Sequence, residues 1–135
     1  MKSIRYILIA FTIFSSHISF AQKKSTNQSI PDKVLIHQVY FWLKPGLSNE
    51  QIAKFENGVK SLLKIKTIKY GDVGKPAATA LRPVIDASYS YSLTVFFDDV
   101  AGHDAYQIDP IHEQFLKECK DLWEKVQVYD SFTAK

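Results

Sequence analysis

Apolar residues occupy both sides of the segment from Val34 to Lys44, which is rich in the β-branched and aromatic residues that favour strands. Alternate residues of a strand point to opposite faces, so the odd-numbered residues of Leu35–Leu43 share one face and the even-numbered residues of Ile36–Trp42 share the other. A strand with one solvated face alternates apolar and polar residues, and this one does not. We therefore expect a layer to cover each face of this strand, which ends at Pro45 and Gly46.

The next apolar positions are spaced as on a helix. Ser48 and Gln51 fit a capping box, so this helix is predicted to begin at Ser48 and to end near Lys64. Its apolar stripe consists of Ile52, Phe55, Val59, Leu62 and Leu63. A stripe of this width predicts a helix that packs against the first strand.

Three further strands are predicted over Thr67–Val73, Tyr89–Phe97 and Lys125–Phe132. A connection from Lys75 to Ser88 joins the first two of them, and connections of this length in a compact domain are usually functional or mobile. We assign no role to this connection from the sequence.

Two helices are predicted between the last two strands. Asp98 or Asp99 caps a short helix that runs through Tyr106, and Asp109 with Pro110 begins the next helix as N-cap and first residue. The apolar stripe of this second helix consists of Ile111, Phe115, Cys119, Leu122 and Trp123. The resulting order, β-α-β-β-α-α-β, predicts an α+β, ferredoxin-like fold with a four-stranded antiparallel sheet and helices on one face.

The other face of that sheet carries apolar side chains that no predicted helix covers. Tyr40 and Trp42 belong to it, and an uncovered patch of this kind is uncommon on a small monomer. Two such sheets can stack about a two-fold axis. We therefore predict a homodimer in which the sheets pair into a dimeric α/β barrel.

The N-terminal residues form a targeting segment rather than part of the fold. Two basic residues precede the apolar run Tyr6–Phe14, and a small-x-small triplet ends at Ala21. This order indicates a secretory signal peptide, residues 1–21, with a run too short for a transmembrane helix. The polar residues 22–33 are predicted to be a flexible leader, and residues 34–133 the folded domain.

Export is testable directly. Mass spectrometry of the protein isolated from cells should find a mature N-terminus at or near Gln22, because cleavage is expected after Ala21. The protein should then be periplasmic or secreted. A membrane-bound protein that retains Met1 would contradict this prediction.

Charge and cysteine content narrow the classes of partner. The chain has 17 Lys and Arg against 14 Asp and Glu, and removal of Lys2 and Arg5 with the signal leaves 15 against 14, a net charge of +1. A near-neutral domain lacks the basic surface that nucleic acid requires, and it gives no indication of membrane binding after cleavage. Cys119 is the only cysteine, so the chain forms no internal disulfide, and we expect its thiol to be buried.

Several ordered motifs carry a resemblance to a known family. They are His37 in IHQVYFWL, the helix start SNEQI, FFDD at residues 96–99, HDAYQIDPIHEQF at residues 103–115 and LWEKVQVYDSF at residues 122–132. Over residues 34–132 the chain resembles the stress-responsive dimeric α/β-barrel (Dabb) domain family. The resemblance implies the same dimeric fold that the element order predicts.

The resemblance also implies candidate site residues. One branch of the family contains the plant olivetolic acid cyclase, which closes a linear polyketide by an intramolecular aldol condensation without a cofactor. It uses a Tyr–His pair in a pocket between sheet and helices, and Tyr106 and His112 match that pair. His37 matches a further pocket histidine. This chain differs in having Tyr91 and Asp109 at positions where histidines stand in the cyclase or commonly in the family.

The residues themselves point to proton-transfer chemistry. His112 lies in the first turn of its helix, where the helix dipole and partial burial favour the neutral imidazole that a general base needs. The Tyr106 hydroxyl is placed to bond His112 or to polarise a substrate carbonyl. The alternative is a Tyr–His contact that only joins two helix segments, and for His37 a hydrogen-bonded core histidine. His103 is expected to be solvent-exposed and has no assigned role.

An apolar pocket wall completes the predicted site. Phe115 and Trp123 match wall positions of the family, and the expected ligand-binding residues are Val39, Phe41, Phe55, Tyr91, Phe115 and Trp123. No metal is predicted, because the sequence has no HxH, HExxH or cysteine pair, and no cofactor is expected. Two functions stay open: a cofactor-independent, cyclase- or lyase-like enzyme acting on a small hydrophobic carbonyl or aromatic compound, and a non-catalytic periplasmic module that binds such a compound under stress.

Overall fold

The computed structural model describes residues 33–80 and 82–134, so the predicted signal peptide and all but the last residue of the leader lie outside the described residues. The element order is the predicted one. The elements are β1 (Leu35–Leu43), α1 (Asn49–Ser61), β2 (Tyr70–Gly74), β3 (Tyr91–Phe97), α2 (Val100–Gln107), α3 (Pro110–Cys119) and β4 (Trp123–Phe132). A 3-10 turn, Leu62–Lys64, extends α1. None of the helices in the described ranges has the length and apolar character needed to cross a membrane.

The four strands form one antiparallel sheet in the order β2-β3-β1-β4. The strand predicted first, β1, is therefore a central strand, whereas β4 is at one edge of the sheet. This arrangement confirms the ferredoxin-like α+β fold. In the register of β1, His37 is paired with Val95 of β3 and with Asp130 of β4.

The helices cover one face of the sheet. Odd-numbered residues of β1 from Leu35 to Phe41 are buried there, together with Phe55 of α1 and Phe115 of α3. The even-numbered residues of β1 are half-buried on the outer face. Within the described part of the chain no helix covers this outer face, where Tyr70 and Tyr129 are 67% and 57% exposed.

Side-chain caps fix where each helix begins. Ser48 and Gln51 form the predicted capping box of α1. The carboxylate of Asp99 accepts a hydrogen bond from the backbone N–H of Gly102 at 2.8 Å, and that of Asp109 accepts one from Ile111 at the same distance. These bonds satisfy N–H groups that have no partner within the helix. The break between α2 and α3 is therefore encoded locally by Asp109 and the proline that follows it.

Three strands begin two or three residues away from the predicted position. β2 begins at Tyr70 rather than Thr67, because a turn closed by the hydrogen bond from Ile68 N to the carbonyl of buried Ile65 (3.2 Å) occupies the preceding residues. β3 begins at Tyr91 rather than Tyr89. In each case side-chain propensity extended the strand beyond the residues that find a partner strand.

β4 begins at Trp123 rather than Lys125, and α3 ends at Cys119, so the prediction that Leu122 and Trp123 lie on this helix was wrong. The reason is a register shift between β1 and β4. Trp42 is paired with Lys125, but Leu43 is paired with Trp123. The additional residue of this bulge turns the indole to the helix-covered face, where it stacks on Phe115 with ring centroids 5.6 Å apart.

The carboxylate of Glu56 joins α1 to β3 and to the start of the long connection. It accepts hydrogen bonds from the Tyr91 hydroxyl at 2.9 Å, from Lys60 at 2.6 Å and from Lys75 at 3.3 Å. The hydrogen bonds with Lys60, Tyr91 and Lys75 lower the pKa of Glu56 to about 2. Ionised Glu56 therefore favours the folded state.

Replacing Glu56 with glutamine should make stability less sensitive to acid. Because the folded-state pKa lies below the ordinary value of 4.5, the contribution of Glu56 is complete above pH 4.5 and is lost as the pH falls towards 2. Glu56→Gln should thus have a lower melting temperature than the wild type at pH 7, and this difference should shrink near pH 2. The control is Glu124→Gln, which changes an exposed carboxylate on β4. An unchanged difference between pH 7 and pH 2 would contradict the prediction.

Candidate functional site

A partly open cavity of about 230 Å³ lies between the helix-covered face of the sheet and the segment formed by α2 and α3. Its mouth lies between α3 and β4, where the lining residues Leu116, Val126 and Val128 are exposed. Nine apolar and four polar residues line it. They are Val39, Phe41, Leu62, Leu93, Phe115, Leu116, Trp123, Val126 and Val128, with His37, Tyr106, Gln107 and His112.

Tyr106 and His112 meet across the break between α2 and α3. Tyr106 is the last buried residue of α2 and His112 lies in the first turn of α3, and their ring centroids are 4.7 Å apart at an interplanar angle of 58°. Among the described residues the Tyr106 hydroxyl makes no hydrogen bond, so the two side chains touch by their rings rather than through a bond between O and N. Burial raises the pKa of Tyr106, and the hydroxyl stays protonated as a donor.

His112 lines this cavity and has one buried polar atom that is not hydrogen-bonded among the described residues. Its Nδ1 is buried and has no hydrogen-bond partner in the described part of the chain. Burial lowers the pKa of His112, opposed by the backbone of Gln107, and the neutral ring is favoured. A buried nitrogen without a partner costs free energy, about 1–3 kcal/mol for a typical buried polar group.

His37 is a buried histidine held by a carboxylate. Its Nδ1 lies 2.6 Å from Oδ1 of Asp130, its direct partner across β1 and β4. Burial lowers the pKa of His37, although Asp130 acts in the opposite direction. An Nδ1–H that donates to the carboxylate leaves the lone pair on Nε2, a tautomer suited to accept a proton. The ring of His37 is 5.8 Å from that of Tyr106.

His103 is not solvent-exposed as predicted. Its side chain is 17% exposed, and its ring packs against those of His37 and Phe97 with centroid distances of 5.1 and 5.6 Å. The inward direction follows from helical spacing, because His103 precedes inward-facing Tyr106 by three residues. This spacing of His103 and Tyr106 is visible in the sequence and indicates the inward direction of His103.

The cavity brings together most of the predicted site residues. His37, Tyr106 and His112 line it, and so do four of the expected wall residues, Val39, Phe41, Phe115 and Trp123. Phe55 and Tyr91 lie outside its lining. Phe55 packs behind Phe41 with ring centroids 5.2 Å apart, and the hydroxyl of Tyr91 is bonded to Glu56.

Two residues with polar roles at the site were missed from the sequence. Asp130 belongs to the quoted VQVYD segment, but the register that places it opposite His37 cannot be read from one strand. Gln107 lies on the lining of the cavity, with its amide nitrogen 3.0 Å from Nε2 of His103. Its signal was its position four residues after His103, which places the two side chains on one helix face.

Comparisons with known proteins agree with this architecture. The model of the stress responsive A/B barrel domain family (Dabb) matches residues 35–133. A Dabb family protein with a ferredoxin-like fold from Mesorhizobium loti is similar to the chain at 23% identity and a TM-score of 0.58, over 73% of this chain and 95% of that one. A dimeric ferredoxin-like protein from Thermobifida fusca has 17% identity and a TM-score of 0.60, over 78% and 95%.

A third similar structure is the hydroxynitrile lyase from Passiflora edulis. It is 23% identical to this chain, with a TM-score of 0.65 over 78% of this chain and 97% of the lyase. At this identity the likeness shows the fold alone. A search of curated proteins found no match.

Proposed function

We propose that this chain, which belongs to the stress-responsive A/B barrel (Dabb) family, is a cofactor-independent enzyme that removes a proton next to a carbonyl group of a small hydrophobic compound. The observation that carries the proposal is one cavity in which a protonated tyrosine hydroxyl and two histidines face an otherwise apolar wall. One of these, His112, has a nitrogen with no partner among the described residues.

The chemistry follows from the protonation states that burial favours. Neutral His112 accepts the proton from the carbon next to the carbonyl, and the electron pair of the broken C–H bond moves towards the carbonyl oxygen. Tyr106 donates a hydrogen bond to that oxygen as it becomes an enolate, and it needs no proton transfer to do so. His37, oriented by Asp130, offers a second neutral imidazole that can return or relay a proton.

Cavity size and lining define the substrate class. The volume of about 230 Å³ is below the roughly 300–1,000 Å³ of sites for drug-sized ligands, so the substrate must be small. Phe115 and Trp123 stack on one side of it, which favours an aromatic or flat apolar group. The lyase from Passiflora edulis supports the proposal, because it is an enzyme with a similar fold.

A second candidate function is binding without catalysis. The observation that favours it is the ring-to-ring contact of Tyr106 and His112, because no hydrogen bond joins the Tyr106 hydroxyl to the His112 ring in the described part of the chain. In that case the protein would hold the same class of compound and leave it unchanged. We propose either role for the exported chain, after signal cleavage, outside the cytoplasm.

Deuterium exchange distinguishes the two functions without knowledge of the natural substrate. Small aromatic and aliphatic ketones and aldehydes are incubated with the protein in D₂O, and loss of the proton next to the carbonyl is followed by NMR. An enzyme of the proposed type accelerates exchange above the buffer rate for the compounds that also raise its melting temperature. Compounds that raise the melting temperature without any exchange would support the binding module and refute the catalytic proposal.

A further inference from the structure

A second group of polar side chains lies beside the cavity, and three separate elements contribute to it. His37 of β1, His103 of α2 and Asp130 of β4 each offer one nitrogen or carboxylate oxygen, and these three atoms lie within 4.8 Å of one another. They are far apart in sequence. The β1–β4 register and the inward face of α2 bring them together.

The donor atoms are those that borderline metal ions prefer. Imidazole nitrogen and carboxylate oxygen bind Zn²⁺ at about 2.0–2.2 Å, so neighbouring ligands of a tetrahedral ion are ~3.4 Å apart and opposite ligands of a larger coordination sphere ~4.2 Å apart. The three donor atoms lie within 4.8 Å of one another, a slightly wider spacing than that of bound ligands. The Asp130 side chain is 48% exposed on an edge strand, and a small rotation that releases its hydrogen bond to Nδ1 of His37 would let it bind the ion.

We propose that His37, His103 and Asp130 form a binding site for a divalent transition metal ion, of which Zn²⁺ best matches their ligand types. The site shares His37 with the proposed proton relay but uses neither Tyr106 nor His112, and metal binding does not depend on catalysis. Metal binding is measured without any substrate. A negative result would therefore refute the metal site without refuting the catalytic proposal, and a negative exchange assay would leave the metal site untouched.

Polar neighbours of His103 support this assignment. A carboxylate oxygen of Asp104 lies 3.1 Å from its Nδ1, and the amide nitrogen of Gln107 lies 3.0 Å from its Nε2. The carboxylate favours the proton on Nδ1, so the lone pair is on Nε2, where it would bind the ion after the Gln107 amide rotates away. Histidines that bind metals commonly donate their other N–H to a carboxylate in this way.

The test uses the full protein and the metal alone. Isothermal titration with Zn²⁺ should show one equivalent bound per chain, and the melting temperature should rise with Zn²⁺ concentration and return to its starting value on addition of a chelator. Co²⁺ should give a visible absorption spectrum of a coordinated ion. Absence of a one-equivalent isotherm for the wild-type protein would overturn the proposal.

Substitutions separate this site from adventitious surface binding. His103→Asn and Asp130→Asn change partly exposed side chains, and each should weaken Zn²⁺ binding at least as much as loss of an outer-shell partner does, about 10–100-fold. Glu113→Gln is the control, because it changes an exposed carboxylate of α3 outside the cluster and should leave the affinity unchanged. Circular dichroism confirms that each variant folds. Equal affinity in the wild type and in both Asn variants of the cluster would refute the site.

Discussion

Replacing His112 with alanine is expected to lower the rate of deuterium exchange about 10²–10⁴-fold, the usual loss when a general base is removed. The fold should remain intact, because removal of Nδ1, a buried nitrogen without a partner in the described residues, offsets part of the contact with Tyr106 and of the bond to the Gln107 backbone that are lost. Exchange rates by NMR and melting curves on the same samples test both parts. The matched control, Glu113→Ala, changes an exposed residue of the same helix turn.

Tyr106→Phe separates packing from polarity at the same site. It keeps the ring that packs on His112 and on Phe97 but removes the hydroxyl proposed to bond the enolate oxygen. The rate of deuterium exchange should fall while ligand-induced stabilisation remains. Tyr70→Phe, which removes an exposed hydroxyl, should change neither the exchange rate nor this stabilisation. If both cavity variants lower the melting temperature and leave exchange unchanged, Tyr106 and His112 are structural and not catalytic.

Replacing Trp42 with lysine is expected to break a homodimer formed through the outer face of the sheet. The indole is half-buried there, its Nε1 donates to Ser88 at 2.9 Å, and Nζ of Lys125 lies 4.0 Å from its ring centroid. A second positive charge beside Lys125 would have no partner between two stacked sheets, at a cost of about 3–5 kcal/mol. Light scattering should show a dimer for the wild type and a monomer or aggregate for the variant.

The choice of substitution makes this result specific. Trp42→Phe keeps an apolar ring at the same place and should remain dimeric. Lys117→Glu changes a charge on the exposed side of α3, away from the outer face, and should also remain dimeric. A wild-type monomer at micromolar concentration would show that the exposed tyrosines of this face have another partner or none.

Periodicity predicted the fold because each local signal agreed with the global one. Three predicted features are determined by residues close together in sequence, and all three are confirmed. They are the alternating faces of β1, the capping box at Ser48 and the start of α3 at Asp109-Pro110. Tyr106 and His112 were paired through the family resemblance, and only the helix break between them is a local signal. Signals of this kind come from neighbouring residues, so they can be read from a single sequence.

Features that depend on strand pairing were not predictable in the same way. The bulge that turns Trp123 inward and the pairing of His37 with Asp130 depend on the register between strands about 90 residues apart, which one sequence does not contain. The burial of Phe55 behind Phe41, away from the cavity, depends on how α1 lies on the sheet. The sequence shows which residues these are, but it does not show where each side chain lies relative to the cavity.

Strand β1 has nine residues, and its two sides lie in different surroundings. Changes at His37 or Val39 alter what fits the cavity, whereas changes at Tyr40 or Trp42 alter which surface can pack on the sheet. Descendants of this chain can thus acquire a new substrate or a new binding partner by independent point mutations. A one-residue insertion in this strand has no such freedom, because it exchanges both sets at once and turns the histidine out of the site.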